Sequence, residues 1–516
     1  MLKSMSLDEK LGQLICLTTL EWENAAGLTA EGLVGSLYGC QASRFGRAEE
    51  VAELINDLQG GARQPLLVVG EQEHGSHLNF PGGTRFPAYM AIGATRSAEL
   101  AYRFGEINAR EALAVGYNWV SCPTVDVNIN PDNPIINTRS LGEDPELVSQ
   151  LGGETCRAIV EQRGLTCVCH FPGHGATDCD SHARLPVVDR TAEEMRAVEL
   201  APYLHAIAHG WMNCIMTAHI HYPAYDTEAG LPATLSRNVL TGLLRGKLGY
   251  KGLIATDGMG MKAIADNYPG GEAAVRAVEA GCDILLVADA EGTRKALRQA
   301  VTSGRLPEEI VDAAAERVLR AKQWVGLYDR RTVAVERVSE IVGCSEHRAV
   351  AKRMAREAVT MLRGHGLPLP RNGRVLVACW GECDAAVEVS KRRSGVTAMQ
   401  LTGAPPQHVL AALKQADHVI VAVETAVRAY QEDALKLDQQ LAQTVQGLLA
   451  SGKHVSLLIL GSPYLAAQLP ATNVCVCTYD NCPDAVEAGV MALYGELKPQ
   501  GRLPVSVDGY PYGFGL

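Results

Sequence analysis

The stretch LTCVCHFPGHGATDCDSH, residues 165–182, joins a short apolar run to a loop that holds three histidines and two aspartates among small residues. The run has the length of a buried strand, and the loop begins where it ends. The same unit recurs along the chain. Apolar runs at 12–17, 32–37, 65–70, 117–125, 165–170, 213–219, 252–256 and 282–287 alternate with segments of helical periodicity. Eight such units within the first 330 residues predict a (β/α)8 TIM-like barrel, although the spacing alone also describes an open doubly wound sheet. In a barrel, the polar clusters that follow the strands gather at one mouth: EQEHG at 71–75, DVNIN at 126–130, CHFPGHG at 169–175, AHIHYP at 218–223 and TDGMGM at 256–261.

EEIVDAAAERVLRAKQW at 308–324 reads as a helix that closes the barrel, and YDRRTVAVERV at 328–338 as connecting chain. The expected organisation is a catalytic barrel over 1–330, a linker over 331–345 and a smaller α/β sandwich domain over 346–516. In the last of these, a helix is expected at 346–363 and strands at 374–380, 418–424, 454–460 and 473–478. This half contains neither GxGxxG nor GxxxxGK[ST], so no nucleotide site is expected in it.

Apolar residues make up 47% of the 516 and charged residues 20%, the balance of a globular protein with a substantial core. The net charge of −11, with no concentration of Lys and Arg, argues against nucleic acid and against anionic membranes as partners. The opening residues MLKSMSLDEKLGQLICL lack a signal-peptide pattern and read as a helix capped by Ser6, with Asp8 and Glu9 in its first turn. Fifteen cysteines, many in apolar stretches such as LTCVCHF and NVCVCTY, point to free buried thiols and a cytoplasmic location.

The loop at 169–182 carries the chemistry. Asp180 and His182 are two residues apart, so one turn can set the carboxylate against one imidazole nitrogen while the other faces a cleft. His174, between two glycines, reads equally well as a loop brace or as a site residue. Asp257, directly after the seventh strand, stands where barrel enzymes keep catalytic groups.

HFPGHGATDCDSHARLPVV at 170–188 resembles the HFPGHG…DSH…LP signature of the β-N-acetylglucosaminidase branch of glycoside hydrolase family 3. Similar matches follow in order along almost the whole chain: SLDEKLGQL at 6–14, GTRFPA at 83–88, PTVDVN at 123–128, NTRSLGEDPE at 137–146, MTAHIHYPAYD at 216–226, IATDGMGMKAI at 254–264, GSPY at 461–464 and YGELKPQGRLPVS at 494–506. The resemblance implies a retaining exo-β-glycosidase releasing N-acetylglucosamine, with Asp257 as nucleophile and the Asp180/His182 pair as acid and base. It implies sugar contacts from Glu71, Arg139 and His170, no cofactor and no metal. The expected partner is a small carbohydrate, cell-wall-derived oligosaccharides included.

The chain departs from the family pattern at two cations. Cys169 stands where the pattern has Lys, and Ser76 where it has Arg, so the identity of the sugar is the open point. Glu71 replaces an Asp. Three other readings compete: a glycoside phosphorylase using the same dyad, a β-glycosidase for a different or modified sugar, and a sugar-binding protein without activity. A zinc site at Cys167, Cys169, His170, His174 and Cys179 is a further alternative, with spacing that matches no common ligand pattern.

Overall fold

The computed structural model describes every residue except Met1, Leu20, Cys40, Gly270 and 403–405. The chain divides into two compact units. One is formed by Met1–Arg85, Ala101–Val127 and Val148–Arg348, the other by Phe86–Leu100, Asn128–Leu147 and Ala349–Leu516.

The first unit is built on nine parallel strands: β1 (Ile15–Thr18), β2 (Ser36–Tyr38), β3 (Leu67–Glu71), β4 (Trp119–Ser121), β5 (Leu165–Thr166), β6 (Val168–Phe171), β7 (Cys214–Thr217), β8 (Leu253–Gly258) and β9 (Ile284–Val287). Strand β1 pairs with both β2 and β9. The first and last strands are therefore neighbours, which an open doubly wound sheet does not give. The ninth strand arises because the run expected at 165–170 is broken at Cys167: β5 pairs with β4, and β6 with β7. A parallel bridge between Thr124 and Cys169 spans the break. The N–H of Cys167 donates to Cys122 O at 3.2 Å and that of Cys169 to Pro123 O at 3.3 Å. The result is the expected TIM-like barrel. Strand β4 stops well short of the run at 117–125, since Pro123 brings no N–H to a ladder.

Alternating residues point inward and fill the barrel. Leu67 and Val69, Trp119, Cys167 and Cys169, Cys214 and Met216, Leu253 and Ala255, and Ile284 and Leu286 form one buried cluster with Cys16. Four cysteines here act as small apolar side chains that leave room for the indole of Trp119. Outside lie helices such as Ala48–Gly61, Ala201–His209, Glu272–Ala280, Ala290–Thr302 and Glu308–Trp324. The first helix, Leu7–Gln13, is held by the expected Ser6 cap: its side chain accepts from Glu9 N while the Glu9 carboxylate takes the Ser6 N–H at 2.8 Å.

The second unit carries a mixed sheet of six strands: β10 (Thr360–Gly364), β11 (Val375–Trp380), β12 (Val396–Gln400), β13 (His418–Thr425), β14 (His454–Gly461) and β15 (Val474–Cys477). Their order is β10-β15-β14-β13-β11-β12, with β10 antiparallel to β15. Two buried clusters line it, one around Val419, Val421 and Leu457, the other around Val377, Ile420 and Val476. The helix expected to reach residue 363 ends at Ala358, and β10 takes its last positions. Among the described residues no helix is long and apolar enough to cross a membrane.

Candidate active site

Strand β6 delivers His170 and Phe171 to the loop that follows it. Gly173 has φ of +147°, and a Cβ there would stand 2.7 Å from the Cβ of Glu199, so only glycine fits. The Tyr222 hydroxyl donates to Gly173 O at 2.7 Å and pins the same turn.

Asp126, from DVNIN after β4, anchors this loop from below. It is buried, and accepts the N–H of His170 at 3.2 Å, the N–H of His174 at 2.6 Å and a contact from His170 Nδ1 at 2.8 Å. Burial works to raise its carboxyl, but His170 and His174 outweigh burial and hold it below the usual carboxylate value. An ionised Asp126 makes His170 Nδ1 the donor, which fixes the ring. His174 braces the loop. Thr177 donates its hydroxyl to His174 O at 3.0 Å, so His174 Nδ1, 2.8 Å from that hydroxyl oxygen, donates to it. Its Nε2 lies 3.0 Å from Ser181 Oγ.

Further along the loop, His182 Nδ1 lies 2.7 Å from Asp180 Oδ1, and the His182 N–H donates to the same oxygen at 2.8 Å. The Asp180 side chain is 1% exposed and that of His182 25%. The carboxylate is thus a buried support, and the ring reaches solvent. The Lys262 N–H donates to His182 O at 3.3 Å, tying this loop to the one after β8.

Asp257 is the last residue but one of β8, and the N–H of Gly258, which ends the strand, donates to its Oδ1 at 2.6 Å. Burial pushes its carboxyl up; His219, His170, the Gly258 N–H and His182 more than offset this, and it lies below the usual value. Asp257, His170 and His182 are therefore brought into one electrostatic neighbourhood. His219 was not singled out from the sequence. It is buried, its Nε2 lies 3.1 Å from Gly258 O and its Nδ1 2.7 Å from Thr234 Oγ1. A carbonyl only accepts, so Nε2 carries the proton, and burial lowers the pKa of the ring. Gly258 is held on both sides, by Asp257 through its N–H and by His219 through its carbonyl. Asp126 and His219 both sit in polar clusters that follow strands, the signal by which they could have been found.

Glu71 closes β3, where Tyr38 OH donates to its Oε2 at 3.2 Å and Asn79 Oδ1 accepts its N–H at 2.9 Å. Ser76 is buried, with its hydroxyl 3.4 Å from Gln72 Oε1. Cys169 is buried too, its Sγ 3.4 Å from Thr124 Oγ1, and Thr124 donates to Glu73 Oε1 at 2.9 Å. Burial first, then the neighbouring Glu73 and Asp126, push the Cys169 thiol well up, so it is neutral. Arg139 belongs to the second unit, in the 3-10 turn Asn137–Arg139, and donates to Ile135 O at 3.0 Å. Among the described residues no group of three or more His, Cys, Asp or Glu side chains is arranged to hold a metal ion.

Similarity to known proteins points the same way. A "Beta-hexosaminidase A" from Pseudoalteromonas piscicida is 29% identical over 89% of this chain and 87% of its own length. A "Beta-N-acetylglucosaminidase/beta-glucosidase" from Cellulomonas fimi is 32% identical over 73% of this chain and 68% of its own. Among solved structures, a glycoside hydrolase family 3 β-N-acetylglucosaminidase from Paenibacillus sp. superposes with a TM-score of 0.86 at 32% identity, covering 98% of this chain and 99% of that one. A β-glucoside phosphorylase bound to 2FGlc superposes with a TM-score of 0.89 at 25% identity, covering 98% and 95%. The model of the glycosyl hydrolase family 3 N-terminal domain matches residues 6–321, all nine barrel strands and the loops just described, and the chain belongs to that family.

Proposed function

We propose that the protein is a retaining exo-β-glycosidase that releases terminal β-linked N-acetylglucosamine through a glycosyl-enzyme on Asp257. The observation that carries this reading is the 2.7 Å contact between His182 Nδ1 and Asp180, on a loop tied to the one that follows Asp257. Retaining hydrolysis needs a carboxylate to attack the anomeric carbon and a second group to protonate the departing oxygen. Asp257, held below the usual carboxylate value, is ionised for the attack. His182, with Nδ1 committed to Asp180, gives the proton from Nε2 and then takes one from water. His219 positions the peptide after Asp257. Glu71 and His170 bind sugar hydroxyls, and Cys169 and Ser76 line the part of the pocket where the family pattern has cations.

N-acetylglucosamine as the sugar is supported by the names of the relatives in Cellulomonas fimi and Paenibacillus, and a hexosamine more broadly by that of the Pseudoalteromonas piscicida relative. The β-glucoside phosphorylase favours a second reading, in which phosphate takes the place of water as acceptor. A histidine acid/base permits it, because a neutral imidazole does not repel the incoming anion as a carboxylate does. A screen of aryl β-glycosides of N-acetylglucosamine, glucose, xylose, galactose and N-acetylgalactosamine, with and without phosphate, tests sugar and acceptor together. Fastest turnover of the N-acetylglucosaminide, independent of phosphate, is expected. Phosphate-dependent release of a sugar 1-phosphate overturns hydrolysis, and absence of turnover on every substrate overturns the enzyme reading. Short cell-wall-derived oligosaccharides are the natural substrates in this proposal. We further propose a cytoplasmic location, supported by the fourteen described cysteines, all free thiols.

A further inference from the structure

The second unit holds a cavity of about 530 Å³ walled by Arg356, Arg371, Arg392 and Arg393 together with Glu487 and Glu496. Four arginines against two glutamates leave an excess of two positive charges on a chain whose net charge is −11. The cations come from different elements: Arg356 from the helix Ser345–Ala358, Arg371 from the turn before β11, and Arg392 and Arg393 from just beyond the helix Asp384–Ser390.

The existing ion pairs leave the excess unmet. Glu496 is shared by Arg393 at 2.6 Å and Arg371 at 3.9 Å, and Glu487 by Lys352 at 2.8 Å and Arg392 at 3.1 Å. Lys352 is thus a fourth cation on the same two carboxylates, beside Arg371, Arg392 and Arg393. The acidic neighbour of Arg356 is Asp484, whose carboxyl burial pushes up. Arg393 is 12% exposed at its side chain, and its two terminal nitrogens donate to Val389 O at 3.1 Å and to Glu496 at 2.6 Å, which fixes its charge at the cavity wall. Arginines gathered in one wall with an excess of positive charge suit an oxyanion, which guanidinium groups bind in a forked manner. The cavity is far larger than a bare ion and lies in the range of small-molecule sites, with the stems of Val389 and Met491 in its wall.

We infer that this cavity is a binding site for a phosphorylated small molecule, held by its phosphate on Arg356, Arg392 and Arg393 with the polar body of the ligand in the remaining space. The site is separate from the glycosidase chemistry and does not depend on its assignment.

Titration calorimetry of the full chain with inorganic phosphate, a hexose 6-phosphate and the unphosphorylated hexose tests it. Saturable binding of the hexose phosphate that weakens with salt is expected, roughly tenfold tighter than inorganic phosphate, with no binding of the neutral hexose here. Equal affinity for inorganic phosphate and hexose phosphate supports the oxyanion site and overturns the sugar as its carrier. Arg356→Gln and Arg392→Gln, each replacing a cation outside the catalytic machinery, should each weaken binding roughly tenfold or more while leaving aryl-glycoside turnover unchanged. Hexose phosphate binding that is absent at millimolar concentration, or unchanged in both variants with intact circular dichroism, overturns the proposal.

Discussion

One carboxylate oxygen, Oδ1 of Asp180, takes both the backbone N–H of His182 at 2.8 Å and its ring Nδ1 at 2.7 Å. The double contact fixes the side chain relative to its own backbone and leaves Nε2 as the nitrogen that the proposed mechanism uses for proton transfer. His182→Ala should therefore slow glycosides with poor leaving groups by about 10²–10⁴-fold and aryl glycosides with acidic phenols far less. Asp180→Asn should show a milder form of the same pattern with a displaced pH profile. The check is a plot of rate against leaving-group pKa; equal losses across the series would assign His182 to sugar positioning.

The second prediction concerns Asp126, which holds the loop from beneath through His170 and His174. Removing a buried, paired carboxylate leaves its partners unsatisfied, so Asp126→Ala should cost about 3–5 kcal/mol in urea unfolding, and Asp126→Asn less. The folded pKa lies below the unfolded one, so the stabilisation is complete above the unfolded value of about 3.9 and is lost as pH falls through the folded value. The difference between wild type and Asp126→Asn should accordingly shrink in acid.

Lys322 gives the opposite sign. It is fully buried, Nζ donates to Gln13 Oε1 at 2.6 Å, and burial lowers its pKa to about 7, with Arg331 adding to the effect. Between that value and the unfolded value of about 10.4 the unfolded chain binds more protons, so stability contributed here rises with pH. Lys322→Met should stabilise the protein at about pH 6 by on the order of a few kcal/mol and hardly at all near pH 10. A gain that is the same at both pH values contradicts the assignment.

The barrel was legible because its strands are short apolar runs followed by polar clusters, a pattern strong enough to survive the break at Cys167. Strand β12 was not, since VTAMQ lies at the sheet edge, largely exposed, and carries no apolar run. Strand β10 was hidden behind a helical pattern that continues to its border at Ala358. In the site, the spacing of Asp180 and His182 announced their contact, because both lie on one turn. Asp126 and His219 act on residues far from them in sequence, on His170 and Gly258, and local pattern does not reveal such partners.

The sugar is tested at Cys169. Glu73 and Asp126, the carboxylates that along with burial push the thiol up, are the charges that would favour a protonated lysine there. If N-acetylglucosamine is the substrate, Cys169→Lys should lower KM for its aryl glycoside. A fall in kcat/KM of about tenfold or more, equivalent to ~1.4 kcal/mol of transition-state binding, with the fold intact by circular dichroism, speaks for a differently shaped sugar.

The central claim is the covalent intermediate on Asp257, and intact-protein mass spectrometry on enzyme treated with a fluorinated, slowly turned-over aryl glycoside measures it directly. The account predicts one added glycosyl mass, located by peptide mapping to the segment containing Asp257 and absent from Asp257→Asn, which should also have lost turnover. A label on another residue, or an Asp257→Asn variant that keeps more than a small fraction of wild-type activity, contradicts it.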